Sequence, residues 1–101
     1  MTAPDTPLVI TPTSTGFSIA GEIDAHTAPQ ITAAVADSDA SSLEIDLSGV
    51  QFVDSSGLRA LIEAHQQFEA NGGSLTLVRP SAVVTRLFEI SGVGDYLNVS
   101  G

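Results

Sequence analysis

The chain has 101 residues, with 12 acidic against 3 basic side chains, a formal charge of -9, 43% hydrophobic residues and no cysteine. A chain of this length buries a bit over ~60% of its unfolded surface, enough for one core and too little for two domains. Its basic residues, Arg59, Arg79 and Arg86, are too scattered to make the positive footprint that nucleic acid or an anionic membrane needs, and the lack of cysteine excludes a disulfide scaffold, a thiolate zinc site and a redox switch.

Met1 to Pro7 has neither the basic nor the apolar stretch of a signal peptide, and no apolar run approaches the ~20 residues of a membrane span. The reading is a cytoplasmic protein without direct membrane insertion: a flexible tail over residues 1–7, then one domain over 8–101. Leu8-Val9-Ile10-Thr11 reads as a short strand, which Pro12 assigns to a sheet edge. Thr13-Ser14-Thr15-Gly16 is turn chemistry, and Phe17 to Gly21 alternates as the second strand of a hairpin. Thr27 with Gln30 has the capping-box pattern, Pro29 suits a first helical turn, and Ile31, Ala34 and Val35 keep helical spacing, which predicts a helix from about Ala28 to Asp37.

Leu43-Glu44-Ile45-Asp46-Leu47 alternates strictly, as expected of a strand covered on one side only. Beyond Val50 to Gly57, Leu58, Leu61, Ile62, His65 and Phe68 recur at helical spacing until Asn71-Gly72-Gly73 stops the helix. Ser74 to Val78 is a further strand. Pro80-Ser81 opens a helix carrying Val83, Val84, Leu87 and Ile90, which Gly92 closes, and Tyr96 to Val99 either adds a strand or packs down. Leu43 to Val78 is thus a βαβ unit with parallel strands and a right-handed crossover. The expected fold is a single α/β domain, a mixed sheet of four to five strands with helices mainly on one face.

In open α/β sheets, ligands and partners meet the chain beyond the carboxyl ends of the strands. Here that place is Asp54-Ser55-Ser56-Gly57. A helix N-terminus accepts negative charge, so a phosphorylated serine would be tolerated there; from the tetrapeptide alone, however, the favoured reading is that Ser55 or Ser56 is an ordinary N-cap, with Gly57 allowing close backbone approach. Glu22 and Asp24 could act as acid and base, as metal ligands or as a solvated loop edge, and the solvated edge is the reading the residues alone favour. His26 and His65 invite a triad with Ser55 and Asp24, but no G-x-S-x-G elbow is present and His65 falls on the apolar stripe. The absence of lysine excludes a P-loop. Arg86-Leu87-Phe88-Glu89-Ile90-Ser91-Gly92 reads as an amphipathic helix with a glycine C-cap, with Phe88 one step off the stripe and free for a partner.

Together, Gly-Glu-Ile-Asp at 21 to 24, Asp-Ser-Ser-Gly-Leu at 54 to 58 and Arg-Leu-Phe-Glu-Ile-Ser-Gly at 86 to 92 resemble the STAS domain, specifically the bacterial anti-sigma-factor antagonists, over roughly Leu8 to Val99. The resemblance implies a non-enzymatic regulator that takes no cofactor and no metal. It implies that Ser55 is phosphorylated by an anti-sigma factor that is also a serine kinase, with Ser56 as the minor candidate, and that a serine phosphatase resets the switch. Glu22, Asp24, Asp54, Ser55, Ser56, Gly57 and Arg59 would form the partner surface of a monomer or weak dimer. Two features depart from the family pattern. Arg59 stands where well-known antagonists often have a small residue, which is expected to alter kinase choice, and the sequence stops at Gly101 where many relatives continue into a further helix. The same fold could instead serve as a STAS subunit of a membrane transporter or stress-signalling assembly, and the reading from another class is a small hydrolytic or nucleotide-binding protein.

Overall fold

The computed structural model describes residues 8–100; the expected tail over residues 1–7 lies outside the described residues. The chain order is β1 (Val9–Pro12), β2 (Gly16–Ile23), α1 (Ala28–Ala36), β3 (Ser42–Val53), α2 (Ser55–Ala70), β4 (Ser74–Val78), α3 (Ala82–Ser91) and β5 (Val99–Ser100). The strands form one sheet in sequence order, with β1 antiparallel to β2 and every later neighbour parallel. This is a mixed five-stranded α/β sheet, as expected, with β1 and its proline at the edge.

The hairpin forms because the Thr13 hydroxyl accepts from Gly16 N at 3.0 Å while Thr13 N donates to Gly16 O at 3.0 Å, closing the turn with local bonds. Parallel pairing extends further than the predicted unit between Leu43 and Val78, since β2, α1 and β3 make a second βαβ crossover. Both crossovers step the same way across the sheet, so right-handed connections bring α1 and α2 to the same side, where they pack on one another. The β3 strand runs through Ser48 and Gly49 because a bulge absorbs them: the register with β2 slips between Ser18 and Ala20, and Ser48 N donates to Asp46 Oδ1 at 2.8 Å.

The core lies between sheet and helices. Phe17, Ile19, Leu43, Ile45, Leu75 and Leu77 are buried on one face, while Ser18, Glu44, Asp46 and Thr76 on the other are half-buried or exposed. That alternation is what a sheet covered on one side demands. α3 packs against β3, its entrance tied by Ser81 N donating to Leu47 O at 3.2 Å.

The phase of α3 differs from the expectation. Phe88 is 4% exposed and joins the core with Val84, while Ile90, assigned to the apolar stripe, is 72% exposed. Val84 and Phe88 are four residues apart and share a face, whereas Ile90 is six from Val84 and points elsewhere. Gly92 ends the helix at φ 72, the left-handed conformation that glycine adopts without steric cost.

Candidate functional site

The carboxyl ends of β2 and β3 lie side by side. Glu22 pairs with Phe52 and Ile23 with Val53, and Asp54 N donates to Ile23 O at 3.2 Å where both strands finish. The turn after β2, carrying Asp24 and His26, therefore stands next to the start of α2. Gly57 sets how close they come. A β-carbon at this position would sit 2.6 Å from Ile23 Cγ2 and 2.9 Å from Ile23 O, so only glycine lets the first turn of α2 rest on the end of β2. Gly57 is itself buried, and it serves the site by positioning the helix rather than by offering a surface to a partner.

Neither serine is the N-cap. Asp54 has extended backbone, φ -110 and ψ -173, and its Oδ1 accepts from Gly57 N at 3.0 Å. The aspartate thus satisfies the free amide that a serine cap would have taken. Ser55 and Ser56 become the first two residues of α2, and among the described residues neither hydroxyl has a hydrogen-bond partner; Ser55 is exposed and Ser56 half-buried.

Asp24 is occupied within its own turn. Its Oδ1 accepts from His26 N at 2.9 Å and Thr27 N at 3.0 Å, with the Thr27 hydroxyl 3.2 Å away. The Thr27 amide is the main reason its carboxyl is held below the usual range; desolvation opposes it, and the His26 amide and Thr27 hydroxyl add to the lowering. Thr27, whose importance the sequence did not reveal, is buried. Its Oγ1 donates to Glu22 O at 2.8 Å and accepts from Asp24 N at 2.9 Å, pinning the turn to the end of β2. The predicted capping box fails for that reason, since the threonine hydroxyl is already engaged and makes no cap hydrogen bond to α1.

Arg59 lies on the exposed side of α2, where its Nε donates to Glu63 Oε2 at 3.3 Å. With Ser56 and Glu63 it walls a shallow groove whose other side is Ala28, Pro29 and Thr32 of α1. The structure does not bring a triad together. His65 is ten residues beyond Ser55 in one helix, about 15 Å along its axis. It is buried against Tyr96, with ring centroids 5.2 Å apart, and Nε2 is 3.4 Å from Glu69. His26 is exposed, and Asp24 holds its backbone amide rather than its ring. Among the described residues no cluster of three or more His, Cys, Asp or Glu is placed to hold a metal ion, and no helix is long and apolar enough to cross a membrane. The segment Arg86 to Gly92 forms most of α3 and contributes to the core through Phe88.

Comparison with known proteins agrees with this architecture. The model of the STAS domain matches residues 6–100. The chain is 36% identical over 84 residues to the anti-sigma-B factor antagonist of Listeria monocytogenes, covering 80% of this chain and 74% of that one. It is 34% identical over 85 residues to the anti-sigma-B factor antagonist of Bacillus subtilis, covering 82% and 78%. Among solved structures, an anti-sigma factor antagonist from Mycobacterium paratuberculosis superposes with a TM-score of 0.77 at 27% identity, covering 99% of this chain and 90% of that one. The unphosphorylated form of the anti-sigma factor antagonist SpoIIAA gives 0.70 at 25% identity, covering 94% and 89%. SpoIIAA of Bacillus is also known in a phosphorylated form, which superposes with a TM-score of 0.66 at 24% identity over 94% and 92% of the two chains. Fold, strand-end site and relatives converge: the chain belongs to the STAS domain family and, within it, to the anti-sigma factor antagonists, non-enzymatic regulators.

Proposed function

We propose that this protein is a cytoplasmic phosphorylation-switched antagonist: unmodified, it binds a kinase-type anti-sigma factor and so releases a sigma factor, and phosphorylation at Ser55 ends that binding. The observation that carries the proposal is the division of labour at the start of α2. Asp54 takes the capping role, which leaves Ser55 exposed and its hydroxyl without a hydrogen-bond partner among the described residues. A hydroxyl with no structural duty can accept a phosphoryl group without cost to the fold, and the positive end of the helix dipole offsets the new charge. Ser56 is the lesser candidate because it is half-buried toward α1.

The switch works by local charge. Phosphoserine adds about -1.5 to -2 charges near neutral pH, beside Glu22, Asp24 and Asp54, on a chain already at -9. A contact that accepts a small neutral serine must then desolvate a dianion among carboxylates, so binding is lost while the domain stays folded. The acidic surface favours a partner with basic residues facing it, which speeds encounter more than it deepens affinity. A serine phosphatase would restore the binding form.

Retention of partners from the native cell extract by wild type, Ser55→Ala and Ser55→Glu tests the reading. A kinase-like anti-sigma factor kept by wild type and Ser55→Ala and lost by Ser55→Glu supports it. If all three forms retain the same transporter or scaffold component, the STAS-subunit reading replaces it.

A further inference from the structure

In an α-helix, side chains four residues apart stand one above the other. α2 is unbroken from Ser55 to Ala70, so Ser55, Arg59 and Glu63 form a single file along it. All three are exposed, the side chain of Arg59 at 80% and that of Glu63 at 59%. In the unmodified protein Arg59 leans to the C-terminal end of this file, with one contact of 3.3 Å from Nε to Glu63. The guanidinium carries five N–H donors, and this contact uses one of them.

We propose that Arg59 is the intramolecular receptor for a phosphate on Ser55: on modification it leaves Glu63 and donates hydrogen bonds to the phosphoryl oxygens. The inference rests on the reading of Ser55 as phosphoacceptor and adds to it the residue that reads the modification. Charge favours the exchange, since the phosphate carries up to twice the charge of Glu63 and has three strong acceptor oxygens. Order along the helix favours it too. An anion four residues before a cation is the better arrangement, and the Arg59–Glu63 pair has the reverse one. The existing pair is exposed and weak, so little opposes its loss, and the planar fork of arginine matches a phosphate in a way a carboxylate pair through Nε does not exploit.

Among the described residues no other arginine competes. Arg79 is bound to Asp46 at 2.7 Å on the open face of the sheet, and Arg86 lies on α3. The other charged or titratable groups around the start of α2 are Glu22, Asp24, Asp54 and, in the turn after β2, His26. Three of these four are acidic, which sharpens the need for one cation. The exchange also spreads the switch over a wider surface. Arg59 and Glu63 wall the groove between α1 and α2, so drawing Arg59 to the phosphate leaves Glu63 there as an uncompensated anion.

The test places phosphoserine at 55 by genetic-code expansion in wild type, Arg59→Gln and Glu63→Gln, and follows the phosphorus NMR signal against pH and the Arg59 Nε–H signal with and without phosphate. The expected result is a phosphate midpoint in wild type about 0.3 pH units or more below that in Arg59→Gln. The Arg59 Nε–H signal should move on phosphorylation, and Glu63→Gln should keep the low midpoint. Equal midpoints in wild type and Arg59→Gln, or an Arg59 signal indifferent to the phosphate, overturn the proposal. Because the phosphate is installed without a kinase, this outcome is independent of whether the cell modifies Ser55, and either inference can fail alone.

Discussion

Replacing Gly57 by alanine adds one methyl group at the point where α2 rests on the ends of β2 and β3. Its carbon would lie 2.6 Å from Ile23 Cγ2, 2.8 Å from Val53 Cγ2 and 2.9 Å from Ile23 O, against 3.4–4 Å for ordinary van der Waals contact. Ile23 is fully buried and Val53 nearly so, and the third neighbour is backbone, so none can swing outward. Overpacking of this kind costs about 1–3 kcal/mol, and a site enclosed on three sides belongs in the upper half of that range. Alanine returns about 1 kcal/mol through its better helix propensity. The net expectation is a loss of about 1–2 kcal/mol, which for a domain of this size lowers Tm by roughly 5–15 °C. Thermal and urea unfolding followed by circular dichroism measures it. An unchanged or raised stability, as an ordinary exposed helical glycine would give, would refute the close-approach argument and with it the stated position of Ser55 relative to β2.

Other substitutions separate the roles assigned at the site. Asp54→Ala should destabilise by about 1 kcal/mol through loss of the cap, while Ser55→Ala should stay within about 0.5 kcal/mol in the same urea titration. Phe88→Ala should cost about 3–5 kcal/mol and Ile90→Ala less than about 0.5 kcal/mol, reversing the order that the sequence pattern suggests. Asp24 and Asp46 are both held below the ordinary carboxyl value of 3.8, Asp24 chiefly by the Thr27 amide and Asp46 chiefly by the Ser48 amide. Depressed pKa values in the folded state mean stability that is fully present above the ordinary value and is lost as pH falls below it and through the lower, folded-state value. Acid titration of Asp24→Asn should therefore show a shallower decline below about pH 4 than wild type, checked by fluorescence-independent melting at stepped pH.

Much of this fold was legible because its signals are local. Alternation at Leu43, Ile45 and Leu47 marked a one-sided strand, and the Asn71-Gly72-Gly73 stop closed the longest helix. The errors fall where the answer depends on a neighbour. The β2–α1–β3 crossover was not evident because Ser48-Gly49 looks like a break, and only pairing with β2 turns it into a bulge within a continuous strand. Asp54, Ser55 and Ser56 are all good capping residues in a row; which one caps is decided by the extended backbone that Asp54 inherits from the end of β3. Thr27 reads as a cap for α1, yet the adjacent carbonyl of Glu22 captures its hydroxyl. A ten-residue helix such as α3 holds too few turns to settle its phase, and contact with β3 selected Phe88 over Ile90. The resemblance of three short motifs to one family carried the functional reading further than any of them could alone, because it fixed their joint order and context.

Phosphosite mapping on the chain purified from its native cells tests the central claim most directly, by mass spectrometry that resolves Ser55 from Ser56. The account predicts a phosphorylated fraction with the phosphate predominantly on Ser55, absent from the pool co-purifying with the anti-sigma factor. Phosphate found only elsewhere, or found on Ser55 equally in the bound and free pools, contradicts it.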